Sequence, residues 1–242
     1  MTNLPQAPRP GLAYAAIMLA AILTAILLRR GPGRLLPLPL GQRLGIALGA
    51  FCGMMIGAKL PFALADWEGL KSGAAWLDNG KTILAGLVGG YLGVETAKAL
   101  LGVTIKTGDS FAVPVAAAVA VGRLACFVGG CCYGKPTGLP WGVTFHDGIP
   151  RHPTQLYESA FHAAMAVFLA WTERRGLFVH QRIKLYLIAY LAYRFATEFL
   201  RPEPVILLGL TAYQLAAIGL IPAFAYLWHR DAATATMPTS AG

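Results

Sequence analysis

Charge is what this sequence has least of. Only 13% of its 242 residues are Asp, Glu, Lys or Arg, while 56% are apolar and the mean hydropathy is +0.57. Soluble domains carry roughly a quarter charged residues, so the composition excludes a water-soluble globular protein as the default and leaves an integral membrane protein. Acidic residues are scarcest, 11 against 20 Lys and Arg, for a formal charge of +9. In a soluble chain that excess would suggest a nucleic-acid partner; here it first has to be tested against membrane orientation. Cysteine is rare as well, with three of the four crowded into residues 126–132. That excludes a secreted disulfide framework and points to a local cluster. No repeat, soluble-sized polar segment or C-x2-C metal array is present. The first apolar run lacks a basic leader and a small-residue cleavage site, so it is expected to be a retained anchor.

What is present is a series of apolar runs. A spanning helix needs about 20 predominantly apolar residues, because no water satisfies the backbone inside a bilayer. Seven stretches qualify, at about 11–28, 42–65, 82–103, 110–132, 154–172, 184–200 and 205–228. They predict an all-α, polytopic membrane protein, a single transmembrane domain over 1–242, with 1–10 and 231–242 as flexible tails. Lys and Arg are concentrated in alternate loops: Arg29, Arg30, Arg34 and Arg43 after the first run, and Arg174, Arg175, Arg182 and Lys184 after the fifth. The positive-inside rule then places the N-terminus outside and the C-terminus in the cytoplasm. The basic excess becomes a topology signal, and a nucleic-acid partner is not expected.

Charges inside apolar runs are costly and mark candidate functional sites. Arg123 lies well inside the fourth run and requires an anionic partner, a carboxylate or a lipid phosphate. Tyr190, Arg194 and Glu198 recur at four-residue spacing and share one helical face. That face is either a self-neutralising Arg194–Glu198 pair or a guanidinium held by Glu198 and aimed at a phosphate, with the Tyr190 hydroxyl beside it. Glu158 is available to Arg123 or Arg194, and His162 shares its face one turn on. Gly86, Gly89, Gly90 and Gly93, flanked by Ala85 and Ala97, form a small-residue face suited to close helix packing. Cys126, Cys131 and Cys132 are open to three readings: packing in a crowded loop, an oxidised pair, or soft-metal ligation.

The segment Gly122-Arg123-Leu124-Ala125-Cys126-Phe127-Val128-Gly129-Gly130-Cys131-Cys132-Tyr133-Gly134-Lys135-Pro136-Thr137, continuing through Pro140-Trp141-Gly142-Val143, resembles the signature G-R-x-G-N-F-x-N-x-E-x-Y/W-G-x-P-T-x-x-P-W-G-V of the prolipoprotein diacylglyceryl transferases. Arg151-His152-Pro153-Thr154-Gln155-Leu156-Tyr157-Glu158 is similar to the family's R-H-P-S-Q-L-Y-E, and Arg194-Phe195 through Glu198-Phe199 and Arg201 to its R-F-x-x-E-F-x-R. The resemblance implies a multi-pass enzyme of the bacterial inner membrane that moves a diacylglyceryl group from phosphatidylglycerol, or another anionic phospholipid, to a prolipoprotein cysteine. It implies catalytic roles for Arg123, Arg194, Glu198 and Tyr190, and substrate-binding roles for Gly134, His152, Gln155, Tyr157, Glu158 and Arg201. The implied chemistry requires no metal or other cofactor.

Three departures accompany the match. Cys126 stands where the family has Asn, Cys131 where it has Glu, and Leu84-Ala85-Gly86-Leu87 where it has H-G-G-L, so the family's proposed His base has no counterpart there. The chain is therefore expected to be a diverged member or paralogue. The alternatives are a lipid-binding relative without turnover, and a thiol redox or metal-dependent protein using the cysteine cluster.

Overall fold

The computed structural model describes residues 11–31, 36–65, 67–73 and 82–236. Among the described residues, eight α-helices follow one another: α1 (Leu12–Arg29), α2 (Leu40–Ala65), the short α3 (Trp67–Ser72), α4 (Ile83–Leu100), α5 (Asp109–Val128), α6 (Thr154–Arg174), α7 (Arg182–Thr197) and α8 (Ala212–Thr236). Two small hairpins interrupt them. β1 (Val143–Thr144) pairs antiparallel with β2 (Pro150–Arg151), and β3 (Val205–Leu207) with β4 (Leu210–Thr211).

Every expected apolar run contains a helix. Four of them, α1, α2, α4 and α5, are long and apolar enough to cross a membrane. Their outer faces carry Leu, Ile, Met and Phe that no protein covers, such as Leu19, Ile22, Leu23, Leu44, Leu48 and Phe51. Such faces suit lipid and not water. The remaining three long helices spend part of their surface on polar groups, Glu158 and His162 on α6, Tyr190 and Arg194 on α7, and Gln214 on α8, all buried.

Several boundaries differ from expectation. The run at 205–228 begins with a hairpin, because Leu208 and Gly209 both have positive φ, 52° and 76°. That backbone makes a tight two-residue turn of the kind that reverses a strand, so the helix starts only at Ala212. The tail expected from 231 onward begins inside α8, where the Asp231 carboxylate accepts from Lys184 Nζ at 2.7 Å. Residues 1–10 and 237–242 lie outside the described residues.

The chain divides into two compact units, residues 36–108 and residues 1–35 with 109–242. The first is built on the α2–α4 pair. Gly49, Gly53 and Gly57 of α2 meet Ala85, Gly89, Gly93 and Ala97 of α4 so closely that a Cβ on Gly53 would lie 2.3 Å from the Gly89 carbonyl oxygen. A Cβ on Gly93 would lie 2.1 Å from that of Gly49. The expected small-residue face is thus the contact surface: Ala85, Gly89, Gly93 and Ala97 make the closest approaches, and Gly86 and Gly90 face Ala50, Met54 and Ala58 of α2 beside them. Glu95 is paired within its own helix, to Lys98 at 3.0 Å.

The second unit holds α1, α5, α6, α7 and α8. Two ion pairs fasten it away from the site: Asp109 at the start of α5 accepts the Arg182 guanidinium at 2.9 Å and the backbone amides of His180 and Arg182, and Lys184 reaches Asp231. Arg182 and Lys184, counted in sequence as loop charges, are therefore buried and paired.

Candidate active site

The second unit gathers five ionised side chains in its interior. Arg123 comes from α5, Glu158 from the first turns of α6, Arg194 from α7, and Glu198 and Arg201 from the 3-10 turn and extended residue that follow α7; all five are buried. Glu158 is the hub. Its Oε2 forms an ion pair with Arg123 Nη2 at 2.6 Å and accepts a hydrogen bond from Arg201 Nη2 at 3.0 Å, while its Oε1 accepts the Tyr190 hydroxyl. Oε1 also lies 4.0 Å from His162 Nε2, and the other ring nitrogen of His162 is 2.8 Å from the Tyr186 hydroxyl.

Arg194 forms a second, adjoining group. Its Nη2 is 2.8 Å from Glu198 Oε2, its guanidinium lies 4.3 Å over the ring of Tyr213, and Thr211 donates to Glu198 Oε1 at 2.9 Å. The Tyr190 hydroxyl, expected beside Arg194, donates its hydrogen bond to Glu158. Glu158 in turn pairs with Arg123 and Arg201, while the partner of Arg194 is Glu198, four residues on. A ring face on one side and a carboxylate contact on the other hold the guanidinium in one orientation, which a lysine ammonium would not reproduce.

Around these groups lies an ordered loop. Gly134 N donates to the His152 carbonyl at 2.8 Å, His152 N to the Lys135 carbonyl at 3.1 Å, and Lys135 N to the Leu200 carbonyl at 2.7 Å. The loop is thereby stitched to the start of α6 and to the segment between α7 and β3. Gly134 is needed for this approach, since a Cβ there would lie 2.6 Å from the Leu200 oxygen and 2.8 Å from His152 Cβ. His152 Nδ1 is 3.3 Å from the Tyr157 hydroxyl, which accepts the Trp141 indole N–H at 2.9 Å. With that lone pair engaged, the phenol proton is free to point at Nδ1. Outside the helices, Asp147 is pulled in two directions. Partial burial raises its pKa, but the Arg151 guanidinium and the Ile149 amide outweigh this and hold the carboxyl below its ordinary range.

Gln155 does not face the charged groups with its amide nitrogen. Fully buried, it donates from Nε2 to the Cys131 carbonyl at 2.5 Å, and next to it Thr154 donates to the Cys132 carbonyl at 2.8 Å. Both side chains position the cysteine loop. That loop begins with a helix stop: Gly130 has φ +60°, its amide bonds the Phe127 carbonyl, and the Cys131 amide bonds the Cys126 carbonyl at 3.1 Å. This is the Schellman pattern, in which a left-handed glycine closes the final turn. α5 therefore ends at Val128, short of the expected 132, and backbone closure brings Cys131 back to Cys126.

Sequence reasoning missed Tyr186, Thr211, Tyr213 and Trp141. Tyr186 was within reach, because it continues the spacing of Tyr190 and Arg194 back by one turn. Thr211 and Tyr213 depend on the β3–β4 reversal, which the apolar run concealed.

Three guanidiniums thus converge with two carboxylates, leaving one buried positive charge without a protein counter-ion among the buried residues of the cluster. Arg123 Nε has no hydrogen-bond partner among the described residues. A buried cation without a counter-ion is strongly unfavourable, so the arrangement suits a bound anion.

The comparisons agree with the signature. A family model described as prolipoprotein diacylglyceryl transferase matches residues 11–230. The phosphatidylglycerol-prolipoprotein diacylglyceryl transferase of Clostridium tetani is 32% identical over 79% of this chain and 81% of its own. Those of Cupriavidus necator and Methylococcus capsulatus are 34% and 32% identical, over 72% and 71% of this chain and 64% and 69% of theirs. With most of its length matched, this chain belongs to the prolipoprotein diacylglyceryl transferase family.

Proposed function

We propose that the protein transfers the diacylglyceryl group of phosphatidylglycerol to the cysteine thiol of a prolipoprotein, as a step of lipoprotein biosynthesis in the bacterial inner membrane. The observation that carries this reading is the convergence of three buried guanidiniums, Arg123, Arg194 and Arg201, on only two buried carboxylates, Glu158 and Glu198. A phosphodiester headgroup supplies the missing negative charge, and as the bond to the glyceryl carbon breaks the leaving phosphate gains more.

The reaction forms a C–S bond at the glyceryl carbon bearing the phosphate and breaks its C–O bond. Glycerol phosphate leaves, and the thiol proton leaves with the products. Arg123 and Arg201, aligned by Glu158, meet the growing charge on the phosphate, and preorganised donors of this kind supply the largest share of transition-state stabilisation in many enzymes. Arg194, fixed by Glu198 and Tyr213, is a second phosphate ligand. Tyr190 holds Glu158 in register. With the Tyr157 hydroxyl donating to Nδ1, His152 carries its proton on Nε2, and we assign it as a donor to the headgroup. Gly134 admits the loop close enough to bring His152 and Tyr157 to the site. The chemistry needs no metal or other cofactor.

In this reading α1, α2 and α4 to α8 make seven crossings, with the N-terminus outside and the C-terminus in the cytoplasm, following the Lys and Arg loop bias. The test is release of glycerol phosphate by the purified protein given phosphatidylglycerol vesicles and a lipobox peptide. Release that disappears in Arg123→Ala supports the assignment. Stoichiometric phospholipid binding without release would refute it.

A further inference from the structure

The cysteine cluster is the feature the transferase reading leaves unused. Cys126, Cys131 and Cys132 present three Sγ atoms that all lie within 4.8 Å of one another, and those of Cys131 and Cys132 are 3.8 Å apart. The backbone arranges this. The Schellman stop at Gly130 folds Cys131 over Cys126, and Cys132 takes a left-handed φ of 59°, a conformation seldom adopted by a residue with a Cβ. Two buried side chains, Thr154 and Gln155, are committed to holding the carbonyls of Cys132 and Cys131. Strain of this kind persists where the surroundings over-determine it, and it concentrates at binding sites.

We propose that Cys126, Cys131 and Cys132 form a three-thiolate site for a soft divalent d10 cation of the Zn2+ class. Zinc–sulfur bonds are about 2.3 Å long, so ligands in tetrahedral array stand about 3.8 Å apart. The three sulfurs sit at that spacing or need to close by less than about an ångström to reach it, whereas a disulfide demands about 2.05 Å and leaves the third thiol over. Cys126 and Cys131 are partly exposed and Cys132 is exposed, so the ion has an entry path and a fourth position open to water. Charge also favours a divalent ion. Three thiolates and a dication sum to one negative charge, and Arg123 Nη1, 3.6 Å from Cys126 Sγ, is a favourable neighbour for it. A monovalent ion would leave two. On binding, three S–H bonds break, three S–metal bonds form, and the protons pass to solvent. The bound ion would clasp the end of α5 to the loop leading to Gly134.

The experiment uses the full-length protein, reduced and metal-free in detergent, titrated with Cd2+ as the probe and then with Zn2+ in competition. One equivalent of Cd2+ should produce a thiolate-to-cadmium charge-transfer band that Zn2+ displaces. The band should be lost in Cys126→Ser and in Cys131→Ser and retained in Cys52→Ser, whose thiol lies on α2. A second readout needs no variant: in the wild-type protein, Zn2+ should slow alkylation of three cysteines at least tenfold and leave Cys52 unchanged. Absence of the band, its survival in Cys131→Ser, or unprotected alkylation in the presence of Zn2+ would each overturn the site.

Discussion

Replacing Glu158 by Gln tests the central inference with almost no change in shape. The native carboxylate pairs with the Arg123 guanidinium at 2.6 Å and accepts from Arg201 at 3.0 Å through one oxygen, and accepts the Tyr190 hydroxyl through the other. Glutamine keeps a single acceptor oxygen, so its amide group must confront either the two guanidiniums or the phenol. No cavity is created, and whatever stability is lost comes from charge and hydrogen bonding. Removing one partner of a buried ion pair costs about 3–5 kcal/mol. With two arginines left uncompensated, the upper end applies, which for a chain of this size corresponds to a fall in Tm of roughly 10–20 °C. A second substitution, Arg201→Gln, should then cost less in the Glu158→Gln background than alone, with a coupling of about 2 kcal/mol. Thermal melts of the four proteins in detergent close the cycle. Costs that add to within about 0.5 kcal/mol would refute the hub, because independent sites behave that way.

Other perturbations probe separate parts of the molecule. Gly134→Ala should cut glycerol phosphate release at least tenfold and lower Tm, because its Cβ would displace the loop from the Leu200 oxygen and His152 and break the backbone bonds that hold it there. Arg194→Lys retains the charge but forfeits the planar guanidinium's stacking on Tyr213 and its fixed reach to Glu198, so the rate should fall about tenfold, as measured by the same release assay. Gly53→Val should separate α2 from α4 and lower Tm, whereas Gly11→Val, where a Cβ meets nothing within 4 Å, should not. The Asp147–Arg151 contact should respond to acid. A carboxyl held below its ordinary pKa of 3.8 contributes stability that is present above that value and is lost as the pH falls through the lower, folded value. Amide exchange at Ile149, whose N–H donates to Asp147, should therefore accelerate relative to the hairpin only in strong acid.

How much of this was legible beforehand depended on whether a feature was local. Helix positions were, since apolar runs announce themselves against a bilayer. The interior charges were too, because Arg123, Glu158, Arg194 and Glu198 stand out in such runs at a cost that only pairing or a ligand offsets. Pairing was not, since a helical wheel sees only its own helix: it offered Arg194–Glu198 correctly but had no means of choosing between Arg123 and Arg194 for Glu158, or of adding Arg201 from beyond the end of α7. The hairpin at Leu208-Gly209 was hidden because Val205–Leu210 reads as apolar whether it forms strand or helix, and only the glycine hinted at a reversal.

Gln155 shows why a residue's motif does not by itself assign its role. The family signature places it beside Tyr157 and Glu158, and its side chain is buried on the same helix turn, yet its amide nitrogen is spent on the Cys131 carbonyl. That bond links the two places where this chain departs most from the family pattern and agrees with it most: the cysteine loop and the start of α6. Arg123 joins them a second time, with one terminal nitrogen on Glu158 and the other on Cys126. A change in charge at the thiols is therefore felt at the guanidinium assigned to the phosphate. Neutral thiols leave Arg123 to Glu158 and the headgroup, whereas free thiolates would compete for it. A divalent ion cancels two of the three thiolate charges and so weakens that competition; cysteines at the family's Asn and Glu positions are compatible with a working anion site only if their charge is kept in check.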